Sequence, residues 1–199
     1  DATIVRPADV YGQGDRFLHM YANLRWRGSK LMTTRQLALP LWRGGKETFK
    51  QPVYLTDVAK AVVAALRAPG TAGRVLELVG PDRMRLDHLL DFHLQTLRYE
   101  PHQYTLDPWL GLNHPLFRMK VNALKFIRPH QRHVSWERLD RECYSDTLTA
   151  DNIHFEHLNI VPERLEDRLH FEIKHFRRFG YYWASLGEFP TPAPPPYVV

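Results

Sequence analysis

One cysteine, Cys143, stands in 199 residues, so no internal disulfide framework can form. A lone thiol fits a reducing compartment without requiring one. No apolar run approaches the roughly 20 residues needed to cross a bilayer. A Gly-rich phosphate-binding turn is missing, as is HExxH, and the spacing supports no Ser-His-Asp arrangement. No targeting segment or internal repeat stands out. Acidic residues are the scarcer charge, 22 Asp and Glu against 27 Lys and Arg, for a formal charge of +5. With a pI near 9.4, that excess points to an acidic partner: anionic lipid, nucleic acid or an acidic protein face. What is present suffices to fold, since 44% hydrophobic residues can fill a core in one or two domains.

Residues 2–6 are short, apolar and β-branched, and Pro7 follows; this predicts a buried strand. Gly12 and Gly14 free the backbone to turn, and Asp15 is an acceptable N-cap for a helix through Phe17, Met20, Tyr21 and Leu24. Residues 28–50 read as irregular or hairpin-like. A helix is predicted over 57–67, with Val58, Ala61, Val62, Ala65 and Leu66 on one face and Thr56 or Asp57 as cap. Residues 75–79 predict a strand closed by Gly80-Pro81. A helix from about 82 to 99 follows, with Leu86, Leu89, Leu90, Leu94 and Leu97 inward. Strand–helix–strand alternation favours a parallel α/β sheet. Beyond residue 100, aromatics, histidines and arginines dominate. Leu165, Leu169, Ile173 and Phe176 predict a helix near 162–179, and residues 189–197 predict a polyproline-like tail.

Few residues suggest chemistry of their own. Tyr11 has Asp15 four residues later and Tyr21 has Arg25, so neither has the following lysine that would lower a tyrosine pKa. Both read as packing residues, and no catalytic residue is assigned. Arg6 reads as half of a fold-stabilising ion pair, and Asp57 as a cap. His154 and His157, three apart, and His170 and His175, five apart, do not make a converging metal set, so no metal ligand is assigned. Residues 116–128 carry Arg118, Lys120, Lys125 and Arg128, no acid and a broad apolar face. Such a helix can lie at an anionic bilayer interface or pack as an ordinary amphipathic surface helix. A nucleic-acid role has no recognised binding module to support it. Lys174, Arg177 and Arg178 form a second basic cluster, beside Phe176 and Phe179.

Two stretches carry a family resemblance: Arg6-Pro7-Ala8-Asp9-Val10-Tyr11-Gly12-Gln13-Gly14-Asp15, and Val53-Tyr54-Leu55-Thr56-Asp57-Val58-Ala59-Lys60-Ala61 with its continuation to Leu66. Together they resemble the second half of an extended short-chain dehydrogenase/reductase. The resemblance implies an α/β fold, the C-terminal part of an NAD(P)-binding Rossmann-like domain, with a small substrate-type subdomain, over 1–99. A mostly helical basic extension over 100–188 and a Pro-rich tail over 189–199 complete the expected organisation. It also implies that Pro7, Ala8, Asp9 and Val10 pass beside the nicotinamide of a bound dinucleotide; a purely structural strand exit is the other reading. The family's Gly-rich turn and catalytic Tyr-x-x-x-Lys would lie upstream of Asp1, so the chain is expected to be a fragment that holds no dinucleotide alone.

Asp15-Arg16-Phe17-Leu18, Lys50-Gln51-Pro52-Val53-Tyr54, Val79-Gly80-Pro81 and Leu158-Asn159-Ile160-Val161-Pro162 narrow the likeness. They are similar to the atypical dehydrogenase-like accessory subunits of mitochondrial respiratory complex I. That likeness implies a structural or regulatory role without turnover, NADPH in the full-length protein, and other complex I subunits as partners. It further implies a peripheral place on the matrix side of the inner membrane, with an anionic membrane surface in reach. An active extended dehydrogenase or epimerase on a nucleotide-sugar-like substrate is the alternative.

Overall fold

The structure, a computed structural model, describes residues 2–22, 29–30, 36–106, 115–127, 136–181, 187 and 189–198. It is built of helices and short strands, an α/β arrangement. Strand β1 (Ile4–Pro7) leads through residues 8 and 9 into β2 (Val10–Tyr11) and then α1 (Leu18–Ala22). β3 (Ser29–Lys30) and β4 (Leu37–Ala38) pair antiparallel, which fits the hairpin-like reading there. β5 (Phe49–Lys50) and β6 (Val53–Tyr54) precede α2 (Leu55–Arg67), and β7 (Val75–Leu78) follows it. Next come β8 (Met84–Arg85), α3 (Leu86–Thr96) and β9 (Tyr104–Thr105). Helices α4 (Pro115–Ile127), α5 (Trp136–Glu142) and α6 (Leu165–Glu172) complete the set.

β1 and β7 run parallel, Ile4 opposite Val75 through Pro7 opposite Leu78, and β2 pairs parallel with β6. The β6 segment bonds to both arms of this unit. Val53 N donates to Asp9 O at 3.0 Å, and Gly80 N donates to Gln51 O at 3.1 Å. The approach at Gly80 is so close that a Cβ there would sit 1.9 Å from the Pro52 carbonyl oxygen. On its other side β7 takes Ile153 as a parallel neighbour opposite Leu76. The extension beyond residue 100 is thus woven back into the sheet.

Helix α2 covers this unit. Ala61 is fully buried, and its cluster includes Val53, Leu76, Leu78, Ile153 and Phe155, with Val58 and Ala65 partly buried. The small side chain lets helix and sheet approach. Two residues expected on the inward face, Val62 and Leu66, are exposed instead, Leu66 at 84%. Among the described residues the sheet is narrow, so only part of the apolar arc finds cover. For the same reason β1 is not the buried strand its composition predicts. Ile4 is 55% exposed, because among the described residues β1 pairs on one side only.

The second cluster lies between α1, α3 and α6, where Leu86, Leu89, Leu90, Leu94 and Leu97 are all fully buried as their spacing predicts. α3 starts later than the pattern suggests. Met84 and Arg85 pair with Lys50 and Phe49, and Leu86 N donates to Thr48 O at 2.9 Å. The helix closes with Arg98 at φ 67° and Tyr99 N bonding back to Leu94 O at 3.0 Å, a turn that more often holds glycine. α6 buries Leu165 and Leu169, and Ile173 just beyond it, but stops at Glu172, short of the expected span. Arg178 N donates to Leu97 O at 3.1 Å, which draws the chain off the helix axis through a short 3-10 turn at Lys174–Phe176. A third, smaller cluster joins α4 to α5 through Phe117, Val121 and Leu139.

Candidate functional site

Past Pro7 the chain turns sharply, with Gly12 at φ 145° and Gly14 at φ 75°. Asp15 locks the turn. Its Oδ2 accepts Gly12 N at 3.1 Å and its Oδ1 accepts His19 N at 3.0 Å, so it serves as a cap although α1 begins only at Leu18. The four residues singled out from sequence, Pro7, Ala8, Asp9 and Val10, line one wall of a cavity of about 690 Å³. Lys50 and Leu55 contribute to it, and α5 brings Arg141 and Glu142. The cavity sits past the carboxyl ends of β1 and β2, where open α/β sheets receive ligands.

The chemistry of this wall is set by a cluster that the sequence did not reveal. Lys50 is 1% exposed. Its Nζ lies 3.1 Å from Asp9 Oδ2 and 3.7 Å from Asp146 Oδ1, and it donates to Arg141 O at 3.2 Å. Arg141 Nε lies 2.9 Å from Asp9 Oδ1. Two cations face two carboxylates, the balance a buried charge cluster requires. Burial pushes the Asp146 carboxyl up and Lys50 opposes it, helped by the Gln51 amide that donates to the same carboxylate at 2.9 Å. Lys50 stands in a motif recognised from sequence. Arg141 and Asp146 lie some ninety residues on, in a stretch without periodicity, and no sequence signal connects them to it.

Asp9 therefore faces inward and holds the loop, leaving Pro7, Ala8 and Val10 with the backbone to meet a ligand. Tyr11 is fully buried with its ring 5.4 Å from Tyr54, and its Oη finds no hydrogen-bond partner among the described residues. Burial, then the Asp57 and Glu163 carboxylates, push its pKa above the ordinary phenol value. Tyr11 is a packing residue, as its missing lysine predicts. Arg6 pairs with Glu77 at 3.5 Å, also as expected. Burial of Glu77 would raise its pKa, but the Thr149 amide, the Asn152 side chain, the Thr149 hydroxyl and the Arg6 charge together outweigh it and hold the carboxyl low.

Asp57 is not the cap its position suggests. Helix α2 begins two residues earlier, after Tyr54, and Asp57 is fully buried within its first turn. There it accepts Lys60 Nζ at 2.8 Å and the Glu163 amide at 2.7 Å, fastening the start of the α6 segment to α2. His154 and His157 also serve local structure. His157 Nδ1 accepts the His154 amide at 3.1 Å, and the His154 ring meets the Glu77 and Thr149 carbonyls. Among the described residues no three His, Cys, Asp or Glu side chains converge to hold a metal.

The basic residues divide into two kinds. Arg118 is exposed on α4, its guanidinium 5.8 Å from the Trp136 ring centre, and Lys120 is half-buried on the same helix. The Lys125 side chain and Arg128 lie outside the described residues. Lys174 is exposed. Arg177 and Arg178 turn into the fold. Arg177 Nη2 donates to His170 O at 2.9 Å, while Arg178 bonds Gln103 and lies 4.7 Å from the Tyr99 ring centre. On α4, Phe117 and Val121 are buried against α5 while Leu116, Met119 and Phe126 form a second stripe that is exposed, Phe126 at 89%. Among the described residues no helix is long and apolar enough to cross a membrane.

No family model matches the chain. It is similar, at 32% identity over 93% of its length, to a mouse protein named NADH dehydrogenase [ubiquinone] 1 alpha subcomplex subunit 9, mitochondrial, of which the match covers 44%. The Arabidopsis thaliana protein of that name is 31% identical over 83% of the chain and 40% of the relative. The Neurospora crassa NADH-ubiquinone oxidoreductase 40 kDa subunit, mitochondrial, is 23% identical over 92% of the chain and 43% of the relative. The chain thus spans less than half the length of these relatives.

Proposed function

We propose that this protein is a non-catalytic accessory subunit of mitochondrial respiratory complex I, peripheral to the inner membrane on its matrix side. The observation that carries this reading is the similarity, spread over nearly the whole chain, to mitochondrial proteins named as subunits of that enzyme. The short parallel unit with its crossover helix supports a Rossmann-like fold, with residues 1–99 as its C-terminal portion.

NADPH is the proposed cofactor, bound structurally, and Pro7, Ala8 and Val10 would lie against its nicotinamide end. When bound, the group would offer a hydride. The surrounding side chains, however, are arranged to hold a loop. Asp9, Lys50, Arg141 and Asp146 neutralise one another, and Tyr11 is buried with a raised pKa, a poor proton donor or acceptor near neutrality. The exposed Leu116–Met119–Phe126 stripe, with Arg118, Lys120, Lys125, Arg128 and Lys174, supports docking of residues 100–188 on other complex I subunits or an anionic lipid surface.

A second reading draws on the cleft itself, since 690 Å³ past the strand ends would also admit a substrate of an active extended dehydrogenase or epimerase. The two separate cleanly when the full-length protein is purified from its source. Tightly held NADPH, near one per chain and not exchanged by added nucleotide, supports the accessory role. Substrate-dependent reduction of added NAD(P), with nucleotide sugars among the substrates, would overturn it.

A further inference from the structure

The Pro-rich segment has its backbone set by composition. Five of the seven residues from 190 to 196 are prolines, and the other two, Thr191 and Ala193, each precede one. The chain here is therefore held near the polyproline conformation, which repeats every three residues. Burial follows that period. Phe189 and Pro192 are half-buried and Pro195 is buried, while the residues between them are exposed. One edge of the segment thus faces the body and two face out. Pro194 and Tyr197, three apart, share an outward edge, with Tyr197 36% exposed.

Both ends of the segment are clasped. Phe189 stacks on Phe179 with ring centres 5.9 Å apart, and the Arg98 guanidinium lies 4.3 Å from its ring centre. At the far end Val198 N donates to Arg83 O at 2.7 Å, and Tyr197 bridges to Met84. Tyr197 Oη donates to Glu166 at 2.5 Å, and the Arg164 guanidinium lies 5.1 Å from the Tyr197 ring centre. Arg164 is itself held by Glu166 at 2.8 Å and Asp82 at 3.1 Å. Between the clasps the segment bridges a cavity of about 460 Å³ against α3 and α6, so its middle is thinly supported.

Pro194-Pro195-Pro196-Tyr197 has the form of a Pro-Pro-x-Tyr ligand. WW-type protein modules take such a segment in a groove of aromatic side chains, with a pocket beside it for the tyrosine. A segment already extended loses little entropy on entering that groove. The Pro-x-x-Pro spacing that SH3 grooves read falls on Pro192 and Pro195, both on the inward edge. In the folded chain the Tyr197 ring and hydroxyl are occupied by Arg164 and Glu166. A WW-type module and the body therefore compete for the same side chain.

We propose that Pro194–Tyr197 is a ligand for a WW-type aromatic groove, and that the fold gates it by holding Tyr197 on Arg164 and Glu166. Such a module would read the chain while the segment is undocked and pass over the closed form. The test is titration calorimetry with an isolated WW domain of the Pro-Pro-x-Tyr-binding class, against the folded chain and a synthetic peptide of residues 188–199. The peptide is expected to bind at micromolar concentration, and the folded chain about tenfold or more weakly, the cost of breaking a charge-assisted hydrogen bond. Glu166→Ala removes the acceptor of the Tyr197 hydroxyl and should bring the folded chain close to the peptide. Val198→Pro, which removes the amide bonded to Arg83, should act in the same direction. Tyr197→Ala should abolish binding in the peptide and in the opened chain. If Glu166→Ala fails to fold, the peptide, the parent chain and the Val198 variant still decide. A peptide that does not bind, a folded parent that binds as tightly as the peptide, clasp variants no tighter than the parent, or Tyr197→Ala binding undiminished would each overturn the proposal.

Discussion

Removing the Lys50 ammonium should destabilise the fold more than any surface change. At 3.1 Å from Asp9 and an effective dielectric near 20, one such attraction is about 5 kcal/mol before desolvation is counted. The intact cluster yields much less, because taking each charge out of water offsets it. Lys50→Met does not undo that desolvation; it leaves two acidic side chains in a site built around a cation. Breaking a buried pair in this way costs about 3–5 kcal/mol, which at about 2–4 °C per kcal/mol for a chain of this size lowers Tm by roughly 6–20 °C. The pH dependence has a definite sign. Burial already raises the Asp146 pKa, and loss of Lys50 raises it further. A carboxyl whose folded pKa lies above its unfolded one favours the fold below the unfolded value and loses that advantage as pH rises through the folded one. The deficit of the variant should therefore shrink toward pH 4 and grow toward pH 8, and adding Asp146→Asn should recover part of it. Calorimetric scans of the two variants and the parent across that range are the assay. A Tm within 2 °C of the parent at pH 8, or a deficit that grows toward acid, would refute the buried cluster.

Gly80→Ala sets a methyl against the Pro52 carbonyl and should cost about 1–3 kcal/mol or more, read by urea unfolding; an unchanged midpoint would mean the segments are not in contact. His93 is fully buried with neither ring nitrogen bonded among the described residues, and burial, then His19, push its pKa down to about 3. The unfolded chain takes up that proton first, so this group's stabilisation is present above its unfolded pKa and is lost as pH falls. The loss is about 2 kcal/mol between pH 7 and pH 5. His93→Phe should flatten that slope, and a slope unchanged in the variant would show that other groups set it. Reversing Lys120, Lys125 and Arg128 to glutamate should weaken co-sedimentation with cardiolipin vesicles by about 1 kcal/mol per residue at low salt. Equal, salt-insensitive partitioning of the triple variant and the parent would remove the electrostatic docking idea.

Local pattern carried α3, which buries a full face, and part of α2. The leucines of α3 and the Ala61 packing of α2 follow directly from helical spacing, although Val62 and Leu66 on the same predicted face stay exposed, and the loop Pro7–Val10 follows from strand, proline and glycines in succession. Periodicity failed where pairing partners outvote it. Met84 and Arg85 join β5 before α3 can start, and Arg178 is pulled to Leu97 before α6 can continue. Asp57 looks like a cap because cap and helix-start residues share one composition; only the distant Glu163 amide reveals its task. The Lys50 cluster was illegible for a simpler reason. Lys50 meets Arg141 and Asp146 across about ninety residues, and charge complementarity at that separation leaves no trace in spacing.

The most direct measurement is native-gel separation of mitochondria expressing the full-length protein with an affinity tag, followed by in-gel NADH dehydrogenase staining and quantification of the tag. The accessory-subunit account predicts that the tag migrates with the stained complex I band at near one copy per complex, and remains there after high-salt washing of the membranes. Tagged protein running free of that band, as a soluble monomer or small oligomer in the matrix, would contradict it.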